Sequence, residues 1–163
     1  MKSQNPKVSS LSSLLAYPLR ESERGYSFVT DYGIEYLIVL VSDRDLLPDE
    51  LFAPDLFSFS ILTLNEKVPV GDPRVEVTVI EVLNRIYAAN PQTIINYVCS
   101  LEDNQERPRR ILFRRWFRRH GTGYTRLEFT DAENRIYAAA IFRAEHPRQA
   151  AIEVAFNDEY RAK

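Results

Sequence analysis

Two stretches of the sequence, residues 25–43 and residues 124–146, share a pattern that restricts the fold more than any other feature. In each stretch, aromatic or aliphatic residues alternate with polar ones before a short turn, and an apolar run follows that opens with Tyr36 or Tyr137. Alternation with a period of two residues around a turn is typical of a β-hairpin, because successive side chains of a strand point to opposite faces. We therefore predict two similar hairpins that flank one sheet.

Two further strands and a helix are predicted between the hairpins. Residues 57–64 alternate as a strand does, and residues 93–100 have the β-branched composition of a short buried strand. Between them, residues 72–90 begin with Asp72 as a candidate N-cap and a proline at the first helical position. Their second half carries an apolar stripe at helical spacing, and Asn90-Pro91 ends the pattern, so we predict a helix here.

Two segments fit both a helix and a strand. The string NRIYAA occurs at Asn84 and again at Asn134, and we assign the first copy to the helix and the second to a strand, because flanking residues decide the conformation of short segments. Residues 147–160 fit a terminal helix with a proline at its start, and their alternating apolar residues also fit an edge strand. We prefer the helix.

These elements predict one α+β domain in which a mainly antiparallel sheet of about five or six strands carries two main helices. The order is ββ-β-α-β-α-ββ, followed by the C-terminal helix or strand. A chain of 163 residues has the length of one ordinary domain. We assign residues 23–163 to this domain. Residues 1–22, which are rich in serine, are assigned to a flexible N-terminal arm that docks through Leu14, Leu15 and Tyr17.

The composition excludes several classes of protein. With 45% hydrophobic and 27% charged residues, the chain is folded rather than disordered. Its longest apolar run, Tyr36 to Val41, is far shorter than a membrane-spanning helix, and its N-terminus lacks the apolar core of a secretion signal. The single cysteine, Cys99, excludes an internal disulfide and a zinc site built from cysteines. We expect a cytoplasmic protein with no metal site, no cofactor and no membrane contact.

Positive charge is concentrated in one segment. Residues 104–120 contain seven arginines and one glutamate, whereas the whole chain has a net charge of −2. At 100° per residue, residues 109–120 form an amphipathic helix whose apolar arc holds four large side chains, with Arg109 and His120 among them. The opposite face is basic and consists of Arg110, Arg114, Arg115, Arg118 and Arg119. Like charges at i and i+4 repel by about 0.2–0.5 kcal/mol per pair, so this face predicts an acidic group opposite it.

Three acidic groups fit this basic face: the phosphates of a nucleic acid, a partner protein, and the acidic residues of the chain's own loop at 43–55. Arginine matches phosphate and carboxylate oxygens with paired N–H groups, so each of the three is chemically sound. The third would be an internal network of ion pairs that needs no partner. From this face we predict a non-enzymatic binding module that engages an acidic partner, either nucleic acid or protein.

Two enzymatic alternatives come from neighbouring residues. In the first, Cys99 is a nucleophile that His120 activates, with Asp103 and Arg109 completing a cleft, although a buried cysteine is also an ordinary core residue. In the second, residues 118–123 match R-x-x-G-x-G, the pattern with which N-acyltransferases hold the pyrophosphate of coenzyme A. That loop should open a helix, whereas here it follows one. We therefore interpret Gly121 as the left-handed residue that ends the arginine helix.

Several residues follow one another in a set order along the chain: Tyr26, Phe28, Thr30, Gly33 and Tyr36, then Tyr97-Val98-Cys99, then Arg107 and an Arg-Arg-x-x-Phe-x-x-Trp-Phe helix. In this order, over residues 24–145, the chain resembles a small bacterial family of uncharacterised single-domain proteins. The resemblance implies a compact cytoplasmic bacterial domain. It brings no activity, cofactor or catalytic residue.

Overall fold

The computed structural model describes residues 14–67, 71–99, 114–131, 133 and 136–161, and for Val98, Cys99 and Ile136 it describes the backbone alone. Along these residues the structure has seven strands and three α-helices. In chain order they are β1 (Arg20–Ser22), β2 (Gly25–Val29), β3 (Glu35–Ser42), β4 (Leu56–Thr63), α1 (Pro73–Ala89), β5 (Ile94–Cys99), α2 (residues 114–120), β6 (Tyr124–Asp131), β7 (Ile136–Arg143) and α3 (Gln149–Arg161).

The strands form one mixed sheet in the order β1-β2-β3-β4-β5-β7-β6. Helix α1 connects β4 to β5, which run parallel, and every other pair of neighbours in this order is antiparallel. The two predicted hairpins, β2–β3 and β6–β7, lie on either side of the central pair β4–β5. The predicted α+β class and the predicted order of elements are confirmed.

The sheet has seven strands, one more than the upper value that the sequence predicts, because the sequence pattern assigns β1 to the N-terminal arm. Its three residues are all exposed and show no apolar alternation, so only their backbone pairing with β2, from Arg20 opposite Ser27 onward, makes them a strand. The described part of the predicted arm, residues 14–22, lies against the domain. Of the residues predicted to dock, Tyr17 is buried, whereas Leu15 is 79% exposed.

The ambiguous segments adopt the predicted conformations. The first NRIYAA copy lies in α1, and residues 136–139 of the second copy lie in β7. The C-terminal segment is the helix α3 rather than a strand. Helix α1 starts as predicted, because the Asp72 side chain accepts the Arg74 N–H (3.0 Å), and it ends where the Asn90 N–H donates to the Ile86 carbonyl (3.1 Å).

Each face of the sheet carries its own hydrophobic core. On one face, α1 and α2 cover the sheet, and Val79, Val82 and Trp116 pack with strand residues such as Ile38 and Ile95. On the other face, α3 and the loop between β3 and β4 cover β5, β6 and β7 through Phe52, Leu56, Ile94, Phe142, Ile152 and Phe156. The acidic loop at 43–55 therefore lies mainly on the face opposite α2, and its Asp55 accepts a hydrogen bond from the side chain of Asn90, which caps α1 (2.9 Å).

Within the described residues, no helix combines the length and the apolar composition that a membrane span requires.

Tyr17 fixes the N-terminal segment on the domain. Its ring stacks on Phe28, with the ring centroids 5.9 Å apart, and its hydroxyl donates to Asp72 Oδ2 (2.6 Å). The same hydroxyl accepts the Asp31 N–H (3.2 Å), and the Tyr17 backbone N–H donates to Thr78 Oγ1 (2.9 Å). These bonds satisfy the polar atoms of a side chain that is only 4% exposed, so its burial is not opposed by unpaired groups.

We expect Tyr17→Ala to lower the free energy of unfolding by about 3–5 kcal/mol, because it removes a buried ring together with its hydrogen bonds. Urea denaturation measures this change. Leu15→Ala, two residues away at an exposed position, is the control and should change the free energy by less than about 0.5 kcal/mol. Equal small effects from both substitutions would show that residues 14–22 contribute nothing to stability.

Candidate functional site

Helix α2 has the amphipathic orientation that the sequence predicts. Trp116 is 5% exposed and packs in the core under α1, whereas Arg114, Arg115, Arg118 and Arg119 are exposed on the other side of the helix. Arg109 and Arg110, which belong to the predicted helix, lie outside the described residues. The described part of the basic face therefore consists of four arginines.

Glu76 of α1 neutralises one end of α2. Its side chain is 8% exposed, and its carboxylate accepts a hydrogen bond from Arg119 Nη1 (3.1 Å) and contacts His120 Nε2 (3.2 Å). A buried carboxylate is costly unless it is paired and hydrogen-bonded. Arg119 and His120 supply that pairing, and they also tie the C-terminal end of α2 to the first turns of α1. Glu76 was not singled out from the sequence.

Glu128 of β6 neutralises the other end of α2. Arg114 donates from Nε to Glu128 Oε1 (2.7 Å) and from Nη2 to Glu128 Oε2 (3.2 Å), which is a bidentate pair. Glu128 also accepts hydrogen bonds from Arg126 and from the Tyr137 hydroxyl. Burial opposes ionisation of this carboxyl, but the hydrogen bonds from Arg114 and Tyr137 and the charges of both arginines outweigh it, so the pKa of Glu128 is lowered to about 2.

The polar network around Glu128 extends along the same face of β6 and β7. Arg126 Nε donates to the Tyr97 hydroxyl (3.1 Å), its Nη2 bonds the Tyr137 hydroxyl, and its guanidinium lies over the Phe117 ring at 5.7 Å. Burial, followed by the hydrogen bond to Glu128, raises the pKa of Tyr137, so this hydroxyl keeps its proton as a donor. The network has the composition of a structural clamp between α2 and the hairpin β6–β7.

Arg115 and Arg118 differ from the other two described arginines of the basic face. Both are exposed, and neither has a carboxylate partner among the residues that the structure describes. Arg114 and Arg119 therefore form ion pairs within the chain, as the internal alternative predicts, but the acidic partners are not the predicted ones. The counter-charges come from Glu76 and Glu128, whereas the loop at 43–55, which the sequence offers as the internal alternative, covers the opposite face of the sheet.

A shallow apolar groove lies on the side of α2 opposite this basic face, between the C-terminal end of α2, α1 and β6. Its main lining residues are Leu83, Tyr87, Trp116, Phe117, His120 and Tyr124. Its volume is ≈ 60 Å³, well below the about 300–1,000 Å³ that is typical of small-molecule pockets. The groove has room for one side chain of a partner and not for a molecule the size of coenzyme A.

The sequence interpretation of Gly121 is wrong. Gly121 does not have a positive φ, and in the loop after α2 the left-handed residue is Gly123, with a φ of 85°. Gly121 is required by close approach instead, since a Cβ at this position would lie 2.4 Å from the Phe117 carbonyl oxygen and 2.8 Å from its ring. The loop follows a helix and precedes β6, so the setting of residues 118–123 is the reverse of a helix N-terminus that binds phosphate.

The residues of the predicted cysteine-centred cleft are only partly described. His120 lines the groove and contacts Glu76, which gives a histidine–carboxylate pair. Asp103 and Arg109 lie outside the described residues, and for Cys99 the register alone is known, opposite Tyr137. Within the described part of the chain, no group of three or more His, Cys, Asp or Glu side chains is placed to hold a metal ion.

The low pKa of Glu128 makes stability depend on pH. Because its folded pKa, about 2, lies below the ordinary glutamate value of about 4.3, the ionised carboxylate stabilises the fold above pH ~4.3, and this contribution is lost as the pH falls toward 2. We expect the free energy of unfolding of the wild type to fall more steeply between pH 5 and pH 2 than that of Glu128→Gln, as measured by urea denaturation. Tyr137→Phe, which removes one donor to Glu128, should give an intermediate slope. Parallel pH profiles for the three proteins would contradict the role of this carboxylate.

The comparison with protein families gives a match. A search of the curated proteins finds no relative of the chain. The family model described as "Family of unknown function (DUF6169)" matches residues 71–158, a segment that contains α1, α2, Glu76, Glu128 and the whole lining of the groove. That this family has no known function agrees with the resemblance to an uncharacterised family that the sequence shows. The chain belongs to this family of unknown function, DUF6169.

Proposed function

We propose that this protein is a non-enzymatic binding module and that the exposed face of α2 contacts an acidic partner. The observation that carries the proposal is the division of the arginines: Arg114 and Arg119 are used internally, whereas Arg115 and Arg118 are exposed without a described counter-charge. Arg110 belongs to the same face by its sequence position alone. The cytoplasmic and bacterial setting of this module rests on the sequence.

An acidic protein is favoured over a nucleic acid as the partner. Binding along a phosphate backbone typically relies on several cationic contacts, with about 6–10 in strong cases, and the exposed face offers only Arg115 and Arg118 among its described residues. The groove on the other side of α2 is lined mainly by aromatic and aliphatic side chains, which suits an apolar anchor residue of a protein. Arginine and aromatic residues are both enriched in protein–protein interfaces.

Charge reversal should separate binding from stability. We expect Arg115→Glu/Arg118→Glu to abolish copurification of a partner from the native host and to leave the melting temperature nearly unchanged, because neither side chain has a described internal partner. Arg114→Glu/Arg119→Glu should instead lower the melting temperature, since it places like charges against Glu128 and Glu76.

The matched control is Arg20→Glu/Arg24→Glu, which makes the same change in net charge at and beside β1, the opposite edge strand of the sheet. Copurification should survive this change, and it should also survive nuclease treatment if the partner is a protein. A partner that is lost on nuclease treatment would identify nucleic acid instead. Unchanged copurification in the Arg115/Arg118 variant would remove the basis of the proposal.

A small enzyme is the second candidate, and the contact between His120 Nε2 and Glu76 Oε1 (3.2 Å) at the edge of the groove is the observation that favours it. A carboxylate that orients a histidine is the arrangement used by general bases. The nucleophile in this hypothesis is Cys99, and Asp103 and Arg109 are the further members that the sequence indicates. The non-enzymatic proposal is preferred because the groove is too small to enclose a substrate of ordinary size.

Alkylation of Cys99, the only cysteine, tests the enzymatic candidate. For a non-catalytic thiol, we expect the rate of modification by iodoacetamide to rise with pH around about 8.5, the ordinary thiol pKa, and to be unaffected by His120→Asn. Rapid alkylation at pH 6 that is slowed at least tenfold by His120→Asn would favour an activated nucleophile.

A further inference from the structure

The two edges of the sheet differ in length and in protection. At one edge, β1 has three residues, which is too short to offer a template for another strand. At the other edge, β6 has eight residues, and within the described part of the chain no strand pairs with its outer side. Edge strands are commonly protected by charged side chains, proline or a bulge. The sequence of β6, YTRLEFTD, contains no proline, its register with β7 is continuous, and the side chains of Arg126 and Glu128 bond to each other and to Tyr137 of β7.

The ladder between β6 and β7 defines which backbone groups point outward. The Gly123 carbonyl accepts the Ala144 N–H (2.9 Å), so the pair formed by these two residues is hydrogen-bonded. In an antiparallel ladder, hydrogen-bonded and non-hydrogen-bonded pairs alternate. Leu127 therefore directs its N–H and C=O toward β7, and Arg126, Glu128 and Thr130 direct theirs toward the open edge.

We propose that two copies of this chain associate through β6, antiparallel across a two-fold axis at Leu127, so that their sheets become one continuous sheet. In this register, Arg126 of one copy lies opposite Glu128 of the second copy, and the reverse holds across the axis. The backbone groups of both residues, which point to the open edge, then hydrogen-bond across the interface. On the other face, Leu127 meets Leu127 of the second copy, and Thr125 meets Phe129 of the second copy.

Charge favours this register over the registers that are centred one residue away along β6. A two-fold axis must keep outward-pointing residues opposite one another, so the alternatives are shifts that centre the pairing on another residue of the same strand. A centre at Arg126 places that arginine opposite its own copy, and a centre at Glu128 does the same for the glutamate. Like charges directly opposite each other destabilise a strand pair, whereas opposite charges stabilise it by about 0.2–1 kcal/mol.

The same symmetry identifies the occupant of the edge. A two-fold interface requires a surface that is complementary to itself. Arg126 and Glu128, which bond to each other within one copy, are placed symmetrically around Leu127, so a two-fold axis there sets each of them opposite the other charge in a second β6 and sets Leu127 opposite Leu127. This inference is independent of the proposed function, because it concerns the sheet edge and not the exposed face of α2.

Disulfide trapping tests the register in the full chain. In a Cys99→Ser background, Leu127→Cys places two thiols at a non-hydrogen-bonded pair, where Cα atoms lie about 4.5 Å apart and a disulfide can form. The control is Thr125→Cys, whose two copies would be separated by about 13 Å along the paired strands. We expect a covalent dimer from Leu127→Cys under mild oxidation and none from Thr125→Cys. The reverse pattern, or no covalent dimer from either protein, would overturn the proposal.

Blocking the edge tests the same interface without added cysteines. Thr130→Pro removes an N–H that points away from β7, so the hairpin keeps its internal hydrogen bonds while the outer edge loses a donor. We expect the wild type and Thr130→Val to sediment as dimers and Thr130→Pro to dissociate at least ten times more readily. A monomeric wild type at about 100 µM, or equal dimerisation of the folded proline variant, would refute the inference. If Thr130→Pro does not fold, the disulfide experiment decides the question alone.

Discussion

The position of α2 depends on the buried carboxylate of Glu76. Arg119 and His120 satisfy this carboxylate from the C-terminal end of the helix, while Trp116 inserts between α1 and the sheet. Apolar burial is the main driving force for the packing of α2, and the ion pair fixes the orientation of the helix. The reason is that the Glu76 carboxylate, only 8% exposed, is hydrogen-bonded in just one orientation of α2. That arrangement determines which side of α2 faces solvent and where the groove lies.

The same contact changes how the arginine-rich segment is understood. A face of five arginines has the appearance of one binding surface, yet two of its described members are already engaged with carboxylates of the same chain. Repulsion along the helix is thereby relieved by α1 at one end and by β6 at the other. What remains for a partner is a smaller charged surface, Arg115 and Arg118, with the aromatic groove on the other side of the same helix.

The sequence predicts those parts of the fold that local physics determines. Helix α1 follows from the Asp72 cap and its apolar stripe, and the two NRIYAA copies separate into helix and strand because their flanking residues differ. Strand β1 could not be predicted, since it has no apolar pattern and depends on pairing with β2. The conformation of Gly121 differs from the prediction because a glycine after a helix suggests a left-handed cap, whereas the actual constraint is the close approach of the Phe117 carbonyl and ring.

In the candidate site, too, the sequence does not reveal contacts between residues that are far apart in the chain. Glu76 lies one turn before Val79 on the buried side of α1, and a carboxylate in that position indicates a buried partner. That partner, Arg119, is 43 residues away in the sequence, so only the tertiary structure identifies it. The orientation of α2 was predictable from its periodicity. The pairing of Arg114 with Glu128 was not, because the alternation of β6 indicates a polar face without indicating what lies above it.

The strand order also determines how the chain can fold during its synthesis. Strand β7 is inserted between β5 and β6, so the apolar edge of β5 stays uncovered until residues 136–143 have left the ribosome. Before that point, the nascent chain contains the hairpin β2–β3 and an incomplete central sheet. The open edge of this sheet is β5, whose apolar, β-branched residues make it prone to aggregation. The last strand to be made in this sheet is thus the one that completes its interior. A pause in translation before residue 136 would prolong the stage at which a chaperone is most useful.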